Sequence, residues 1–248
     1  MSRTLIIPAA GRGKRLESDL PKVLFPIDGR AMLDYLFDRY LSLVDRIVLV
    51  VHPSFESEVR DHCAARSFDA QFVLQPDPTG MLPAILLPLD EIEKQPPDQV
   101  WITWCDQVAV RSGTVRRMAR LAERDDRPKL TFPTVWKTEP YIHFTRDAAG
   151  QIDGVLQRRE GDSMPSRGEG DSGLFCLAGQ AYLEELPRFA GESRPGTGTG
   201  EANFLPFIPW LAQRAPVVTF PVEHESESVG INSRADVERV REYLRELD

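Results

Sequence analysis

The chain has 248 residues, a formal net charge of −8, 42% hydrophobic residues and 27% charged residues, a composition that excludes global disorder and allows a substantial core. The acidic balance argues against a binder of duplex nucleic acid, which usually carries a basic face. The 20 prolines exclude a coiled coil or a long-helix design, because proline ends helices abruptly.

The first half of the chain alternates apolar strands with helices. Short apolar runs predict buried strands, and apolar residues at helical spacing predict the helices between them. Because strand–helix–strand units give parallel strands, this half predicts a mostly parallel sheet covered on both faces. The predicted strands are 5–7, 46–51, 71–75 and 100–105, and the predicted helices are 32–44, 55–66, 81–93 and 112–124.

After about residue 128 the pattern changes to short strands with few helices, so we expect one domain over 1–248 with halves 1–127 and 128–248. A capping box of Ser233 and Asp236 opens the last helix, and 147–150 reads as a hairpin turn. Two polar, glycine-bearing segments, 161–172 and 193–200, are predicted loops, the second the more flexible. Predicted strands are 129–135, 141–145, 152–157, 173–177 and 217–222, and predicted helices are 180–186, 202–213 and 233–247.

Cysteine usage and the N-terminus indicate the compartment. Cys63, Cys105 and Cys176 are far apart and form no CxxC pair, which disfavours a cysteine zinc site and suits a reducing cytoplasm. The apolar run 5–10 is too short for a signal peptide, and no stretch has the length of a membrane span. We therefore expect a cytoplasmic protein with no membrane partner.

A glycine-bearing loop, AAGRGKR, follows the first predicted strand. Gly11 and Gly13 allow successive backbone N–H groups to turn inward and bind an anion. Lys14, Arg15 and Lys22 add positive charge beside them. The loop matches neither GxGxxG nor the Walker A pattern, so a simple strand-to-helix turn with surface cations is the alternative. The upstream strand and the downstream PKVL favour phosphate binding.

Asp106 ends the predicted strand 100–105, and ligands of open parallel sheets bind beyond the carboxyl ends of the strands. A carboxylate at that place, facing phosphates, is a natural Mg²⁺ ligand. An ordinary cap or turn aspartate is the alternative. Asn232, in VGIN, taken alone indicates only a helix cap.

The segment PAAGRGKRLESDLPKVLFPIDGRAMLDY resembles the nucleotide-binding opening of the sugar-1-phosphate nucleotidylyltransferases, most of all the uridylyltransferase domain of the bacterial N-acetylglucosamine-1-phosphate uridylyltransferases. The resemblance implies an α/β fold of the Rossmann-like nucleotide-diphospho-sugar transferase (GT-A-like) type, with a mostly parallel mixed central sheet flanked by helices. It continues in order through VLQPDPTGMLPAI, WITWCDQVAV, YIHFTRDAAGQIDGVLQ, DSGLFCLAG, TGEANFLPFIPWLA and ESVGINSRADVERV.

The resemblance implies a reaction in which an NMP group passes from a nucleoside triphosphate to a sugar 1-phosphate, or a similar phosphorylated acceptor, and pyrophosphate is released. It implies a nucleotide-binding half at 1–127 and an acceptor-binding half at 128–248. Arg15 and Lys22 would neutralise charge during transfer, and Asp106 and Asn232 would hold Mg²⁺. The implied nucleotide-binding residues are Ala9, Ala10, Gly11, Gly13, Gln75 and Gly80.

The acceptor residues depart from the pattern of the family. Tyr141, Gln157, Asp171 and Glu201 lie at acceptor-binding positions, but the family's Tyr-Gly reads Tyr-Ile here, its glutamate is Gln157 and its asparagine is Asp171. Met81 replaces the threonine after the base-contacting glycine. Because these changes alter bulk and polarity, we expect an acceptor other than N-acetylglucosamine 1-phosphate, and the base stays open.

Two other functions stay open from the sequence. A cytidylyltransferase that acts on a phospho-alcohol or phosphonate keeps the fold and the chemistry, and the altered acceptor residues allow it. A catalytically silent, nucleotide-binding regulatory protein is disfavoured because both cations and both metal-binding residues occur together. Those uridylyltransferases carry a second, hexapeptide-repeat acyltransferase domain with no counterpart here, so acetyl transfer is not expected.

Overall fold

The structure, a computed structural model, describes residues 1–246 except 12, 17 and 78, and of Lys14 it describes the backbone alone. The strands are β1 (Arg3–Pro8), β2 (Pro26–Ile27), β3 (Arg30–Ala31), β4 (Arg46–Val51), β5 (Gln71–Leu74), β6 (Gln99–Thr103), β7 (Leu130–Thr138), β8 (Ile142–Arg146), β9 (Ile152–Gln157), β10 (Arg167–Asp171), β11 (Leu174–Ala178) and β12 (Val217–Pro221). The α-helices are α1 (Met32–Tyr40), α2 (Glu56–Ala65), α3 (Met81–Leu86), α4 (Leu89–Glu93), α5 (Ser112–Ala122), α6 (Leu186–Glu192), α7 (Phe207–Ala212) and α8 (Arg234–Arg245), with a π-helical turn, Ala181–Glu185, ahead of α6.

The apolar strands of the first half form the parallel part of the main sheet. The strand order is β10-β7-β11-β6-β1-β4-β5, with β12 paired to β7. β1 is parallel to both β4 and β6, and β4 is parallel to β5. Successive residues of β1 point into two different core clusters, Leu5 and Ile7 into one and Ile6 into the other. Both faces of the sheet are therefore covered by helices, and the predicted α/β architecture is confirmed.

The second half extends the sheet with antiparallel strands. β11 is antiparallel to both β6 and β7, and β10 is antiparallel to β7. β8 and β9 form a separate hairpin, joined at the predicted turn 147–150. Among the described residues no helix has the length and apolar character that a membrane crossing requires.

The prediction that 161–172 is a loop was wrong, because β10 lies inside it. The sequence RGEGD has no apolar alternation, so its strand pairing comes from its neighbours rather than from its own pattern. Two of its residues must be small: a Cβ at Gly168 would lie 2.8 Å from His143 Nδ1, and one at Gly170 would lie 3.1 Å from the Ile142 carbonyl oxygen. The glycines therefore allow β10 to pass close to the β8–β9 hairpin.

Prolines explain two helices that are shorter than predicted. The helix expected at 81–93 is two helices, α3 and α4, because Pro88 between them has no N–H to continue the first. The helix expected at 202–213 begins at Phe207, directly after Pro206. The last helix begins with the predicted Ser233–Asp236 capping box, and the predicted end at 247 lies outside the described residues.

A buried carboxylate fixes the loop that leads to Asn232. Glu227 is fully buried and accepts hydrogen bonds from the backbone N–H groups of Arg111 (2.9 Å), Glu223 (3.1 Å) and His224 (3.2 Å). The Thr114 hydroxyl donates to the same carboxylate at 2.5 Å. Glu227 thereby joins the start of α5 to the segment after β12.

We expect Glu227→Ala to lower the free energy of unfolding by about 3 kcal/mol, because it leaves several buried donors without an acceptor. Urea unfolding followed by circular dichroism measures the change. Glu225→Ala is the matched control: its side chain is 61% exposed and pairs with Arg239, so it should cost below about 1 kcal/mol. Equal losses in the two variants would contradict the anchoring role of Glu227.

Candidate active site

A cleft of about 690 Å³ opens at the carboxyl ends of the parallel strands. Its walls include Pro8 at the end of β1, Gln75 after β5, and Trp104 and Asp106 after β6. Loops at this edge of an open α/β sheet are where ligands bind. Residues of the second half, among them Tyr141 and Glu201, form the opposite wall.

Two side-chain oxygens from distant parts of the chain converge on one ammonium group. Lys22 Nζ donates to the Asp106 carboxylate and, at 2.9 Å, to Asn232 Oδ1. Arg15 donates to the same Asn232 oxygen at 3.2 Å. The side chains of Lys22 and Asp106 are only 12% and 14% exposed, so this ion pair is shielded from water. We call Arg15, Lys22, Asp106 and Asn232 the Lys22 cluster; all four were site residues predicted from the sequence.

Hydrogen bonds hold the segments that carry Asp106 and Asn232 in place. The Ile231 N–H donates to the Asp106 carbonyl at 3.2 Å, which ties the Asn232 loop to the end of β6. Asn232 Nδ2 donates to the Gly230 carbonyl at 3.2 Å, so the amide oxygen is left facing Lys22. The Asn232 N–H donates to Asp236 Oδ2 at 3.0 Å, within the capping box of α8. The orientation of Asn232 is therefore fixed by its own loop and helix.

The glycine loop divides into residues that line the cleft and residues that support them. Ala10 and Gly11 line the cleft. Gly13 has φ +59°, and a Cβ there would lie 3.1 Å from Lys22 Cβ, so this glycine lets the loop pack onto Lys22. Ala9 is in the core and its N–H donates to the Val50 carbonyl at 2.7 Å. Ala9 and Gly13 thus support the loop without lining the cleft, and the Lys14 side chain lies outside the described part of the chain.

The predicted base-contacting residues lie together at one end of the cleft. Gln75 is 5% exposed, and its Nε2 donates weakly to the Gly80 carbonyl at 3.5 Å. Gly80 has φ +131°, and a Cβ there would lie 2.3 Å from the Ala202 carbonyl oxygen, so only glycine fits. Met81, in place of the family's threonine, lines the same wall.

All four predicted acceptor residues line the cleft, with Ile142 among them. Burial raises the pKa of Asp171, whose Oδ1 accepts from the Gly173 N–H at 2.8 Å. Glu201 forms an ion pair with Arg159 at 3.7 Å. Trp104 also lines the cleft, whereas Trp136 is half exposed and Trp210 packs on Phe207.

The structure adds cleft residues that sequence reasoning missed, chiefly Lys137, Arg159 and Glu160. Lys137 lies in β7, which runs three residues past the predicted strand end at 135. Burial lowers the pKa of Lys137, and its ammonium donates to the Ser228 carbonyl at 3.0 Å. A lysine near a strand end carries no sequence signal that distinguishes the cleft from the surface.

Glu160 docks the glycine-rich loop that was predicted to be flexible. Its carboxylate accepts from the Gly198 N–H at 2.8 Å, from the Thr199 hydroxyl at 2.6 Å and from Asn203 Nδ2 at 2.9 Å. These hydrogen bonds lower the pKa of Glu160 from its ordinary 4.5 to about 2, led by the Thr199 hydroxyl. The loop 196–200 is thereby held beside Glu201 at the cleft.

The donor set of the Lys22 cluster fits a magnesium ion. Within the described residues no three or more His, Cys, Asp or Glu side chains gather as a metal site. Magnesium does not need such a group, because one or two protein oxygens and substrate phosphates complete its shell. The Asp106 carboxylate and the Asn232 amide oxygen are hard ligands that already meet at one cation, Lys22 Nζ.

Residues 5–194 match the family model described as a MobA-like NTP transferase domain. The chain belongs to this family. Its NTP transferase domain has the nucleotide-diphospho-sugar transferase fold, so the fold and the family resemblance expected from the sequence are confirmed.

The three cysteines, all buried, are free thiols.

Proteins named "Bifunctional protein GlmU" are relatives of the chain. It is 27% identical over 239 residues to the protein from Listeria innocua, covering 94% of this chain and 50% of that protein. It is 28% identical over 244 residues to the protein from Paraburkholderia phymatum, covering 96% and 52%. It is 30% identical over 201 residues to the protein from Pseudomonas aeruginosa, covering 79% and 42%. The chain thus spans about half the length of the curated relatives that it matches.

We expect Glu160→Ala to release the loop 196–200, because the Gly198 and Thr199 groups lose their acceptor. Hydrogen exchange at the amides of 196–203 should then become faster. In the unchanged protein, docking should persist at pH 3.5 and be lost only as the pH falls through about 2, since the lowered pKa keeps Glu160 ionised.

Glu184→Ala is the matched control, an exposed glutamate that accepts a hydrogen bond from Gln180 on the turn ahead of α6. It should leave exchange at 196–203 unchanged. Unchanged protection of these amides in Glu160→Ala would contradict the docking role of Glu160.

Proposed function

We propose that this NTP transferase transfers an NMP group from a nucleoside triphosphate to a sugar 1-phosphate or a similar phosphorylated acceptor, and releases pyrophosphate. The observation that supports the proposal most strongly is the Lys22 cluster, in which two cationic side chains and two side-chain oxygens meet in the cleft. We propose that 1–127 forms the nucleotide-binding half of a single domain and 128–248 its acceptor-binding half. The relatives named above support the class of reaction.

In the proposed reaction a phosphate oxygen of the acceptor attacks the α-phosphorus of the triphosphate in line. A new P–O bond forms as the bond to the β-phosphate breaks, and pyrophosphate carries away the electron pair. No covalent enzyme intermediate is required, so the protein's work is to position two anions that repel one another. Arg15 and Lys22 would stabilise the transferring and leaving phosphates. Ala10 and Gly11 would place backbone groups against the nucleotide.

Asp106 and Asn232 are the residues that would hold Mg²⁺. When bound, the ion would supply Lewis-acid charge stabilisation to the phosphates. Lys22 neutralises the Asp106 carboxylate in the chain as described, and it keeps the carboxylate and the Asn232 amide oxygen close together. When the ion and the substrates bind, the Lys22 ammonium would move from these two oxygens to the phosphates, while the Asp106 and Asn232 oxygens stay in place.

Gln75 and Gly80 would contact the base. A side-chain amide both donates and accepts, so Gln75 suits uracil and cytosine alike. A cytidylyltransferase for a phospho-alcohol or phosphonate is therefore the second candidate. It is favoured by Ile142 and Asp171 on the part of the cleft that we call the acceptor wall, which Tyr141, Ile142, Gln157, Asp171 and Glu201 line. We also propose a cytoplasmic location, which the free cysteines support.

Pyrophosphate release tests the reaction directly. The full chain is incubated with Mg²⁺, each nucleoside triphosphate in turn, and a panel of sugar 1-phosphates, phospho-alcohols and phosphonates. We expect release to require one triphosphate and one acceptor together. Tight nucleotide binding without release in any combination would instead support a silent, regulatory protein.

We expect Asp106→Ala to lower turnover at least about a hundredfold, because the site loses the carboxylate that would hold Mg²⁺ against the reacting phosphates. The pyrophosphate assay measures it, and circular dichroism checks that the variant folds. Asp98→Ala is the matched control, since Asp98 binds Ser2 at the opposite ends of the strands. Activity retained in Asp106→Ala would contradict the role given to this carboxylate.

A further inference from the structure

Lys137 places a cation on the acceptor wall of the cleft, where the proposed reaction has given it no role. It lines the same cavity as Asp171, Tyr141 and Gln157. Lys137 lies on β7 and Asp171 on the neighbouring strand β10. In the register of this pair, Lys137 is opposite Gly168 and Asp171 is opposite Thr134. The acceptor half therefore has a charged group of its own, separate from Arg15 and Lys22.

The Lys137 ammonium is incompletely neutralised. Its Nζ donates to the Ser228 carbonyl at 3.0 Å, and a carbonyl is an uncharged acceptor. An ammonium has three N–H donors, so two are left for other partners. Among the described residues Lys137 forms no direct ion pair, and the Asp171 carboxylate attracts it from beyond contact distance. Burial of a cation without a paired anion costs free energy, which an anionic ligand would offset.

Asp171 restricts the kind of anion that fits. An ionised Asp171 carboxylate repels a phosphate bound at Lys137, because both residues line the same cavity. A ligand that also presents a hydroxyl or amine to Asp171 converts this repulsion into a hydrogen bond. The pair therefore suits an acceptor in which a hydrogen-bond donor stands next to the phosphate.

We propose that Lys137 binds the phosphate group of the acceptor and that Asp171 accepts a hydrogen bond from a hydroxyl or amine beside that phosphate. This rests on the proposed function, because it names the acceptor end of the same cleft. Lys137 would orient the attacking phosphate, while Arg15 and Lys22 serve the nucleotide phosphates. Lys137 and Asp171 together would then determine which acceptors are used.

A purely structural role for Lys137 is the competing explanation. Its bond to the Ser228 carbonyl steadies the segment that leads through Gly230 to Asn232. If that were its whole role, removing the ammonium would loosen this segment and leave phosphate binding at the acceptor wall unchanged. The two explanations therefore differ in anion binding, which can be measured without knowing the acceptor.

NMR titration of the full ¹⁵N-labelled chain with inorganic phosphate, in EDTA, makes the measurement. Amides of Gly170 and Ser228 report on the acceptor wall, and the amide of Gly11 reports on the nucleotide end. We expect Lys137→Met to weaken phosphate binding at the first two at least about tenfold and to leave binding at Gly11 unchanged. Lys137→Arg should restore most of the affinity.

Lys129→Met is the matched control, because it removes the same charge from a lysine that binds Gln180 outside the cleft. It should bind phosphate as the unchanged chain does. Asp171→Asn gives an independent readout, since removal of a repelling charge should tighten phosphate binding at the acceptor wall severalfold. If Lys137→Met does not fold, the phosphate affinity of Asp171→Asn tests the proposal in its place.

Unchanged phosphate affinity at Gly170 and Ser228 in Lys137→Met, or no gain in Asp171→Asn, would overturn the proposal. The outcome is separate from that of the pyrophosphate assay. Phosphate binding that depends on Lys137 in a chain without turnover would keep the anion site and reject the reaction. Turnover with Lys137-independent phosphate binding would keep the reaction and reject the site.

Discussion

The convergence of the Asp106 and Asn232 oxygens on the Lys22 ammonium is the interaction on which the geometry of the cleft depends. Lys22 is 84 residues from Asp106 and 210 residues from Asn232 along the chain, so the three meet only in the complete fold. A largely buried ammonium and carboxylate must neutralise one another, because either alone would be costly to desolvate. This requirement ties the loop after β1, the end of β6 and the loop before α8 to one point.

The two halves of the sheet perform different tasks around that point. Parallel strands end in loops whose backbone and cationic side chains suit phosphates, as at Gly11 and Lys22. The antiparallel extension builds the acceptor wall, to which the end of β10 contributes Asp171 and β7 contributes Lys137. The formal net charge of −8 is compatible with anionic substrates, because Arg15 and Lys22 meet at one point of the cleft, on Asn232 Oδ1, and so supply a local pair of cations.

The parallel core could be predicted because each of its strands contains a short apolar run, as at 47–51 in β4. Within the Lys22 cluster, only Asn232 rested on the family resemblance alone, since by itself it indicates a helix cap. Arg15 and Lys22 beside a glycine loop, and Asp106 at a strand end, carried signals of their own. β10 could not be found, because RGEGD depends on pairing with β7 rather than on its own residues. Docking of the loop 196–200 was equally hidden, since Glu160 and Asn203 are 43 residues apart in the chain.

The proposal that Asp106 and Asn232 hold the metal ion is tested by locating that ion in crystals grown with Mn²⁺ and the preferred nucleoside triphosphate. Manganese accepts the same oxygen ligands as magnesium and gives an anomalous signal. We expect an anomalous peak within coordination distance of the Asp106 carboxylate and the Asn232 amide oxygen, with Lys22 and Arg15 against the phosphates. A metal bound elsewhere in the cleft, with Asp106 still paired to Lys22, would contradict it.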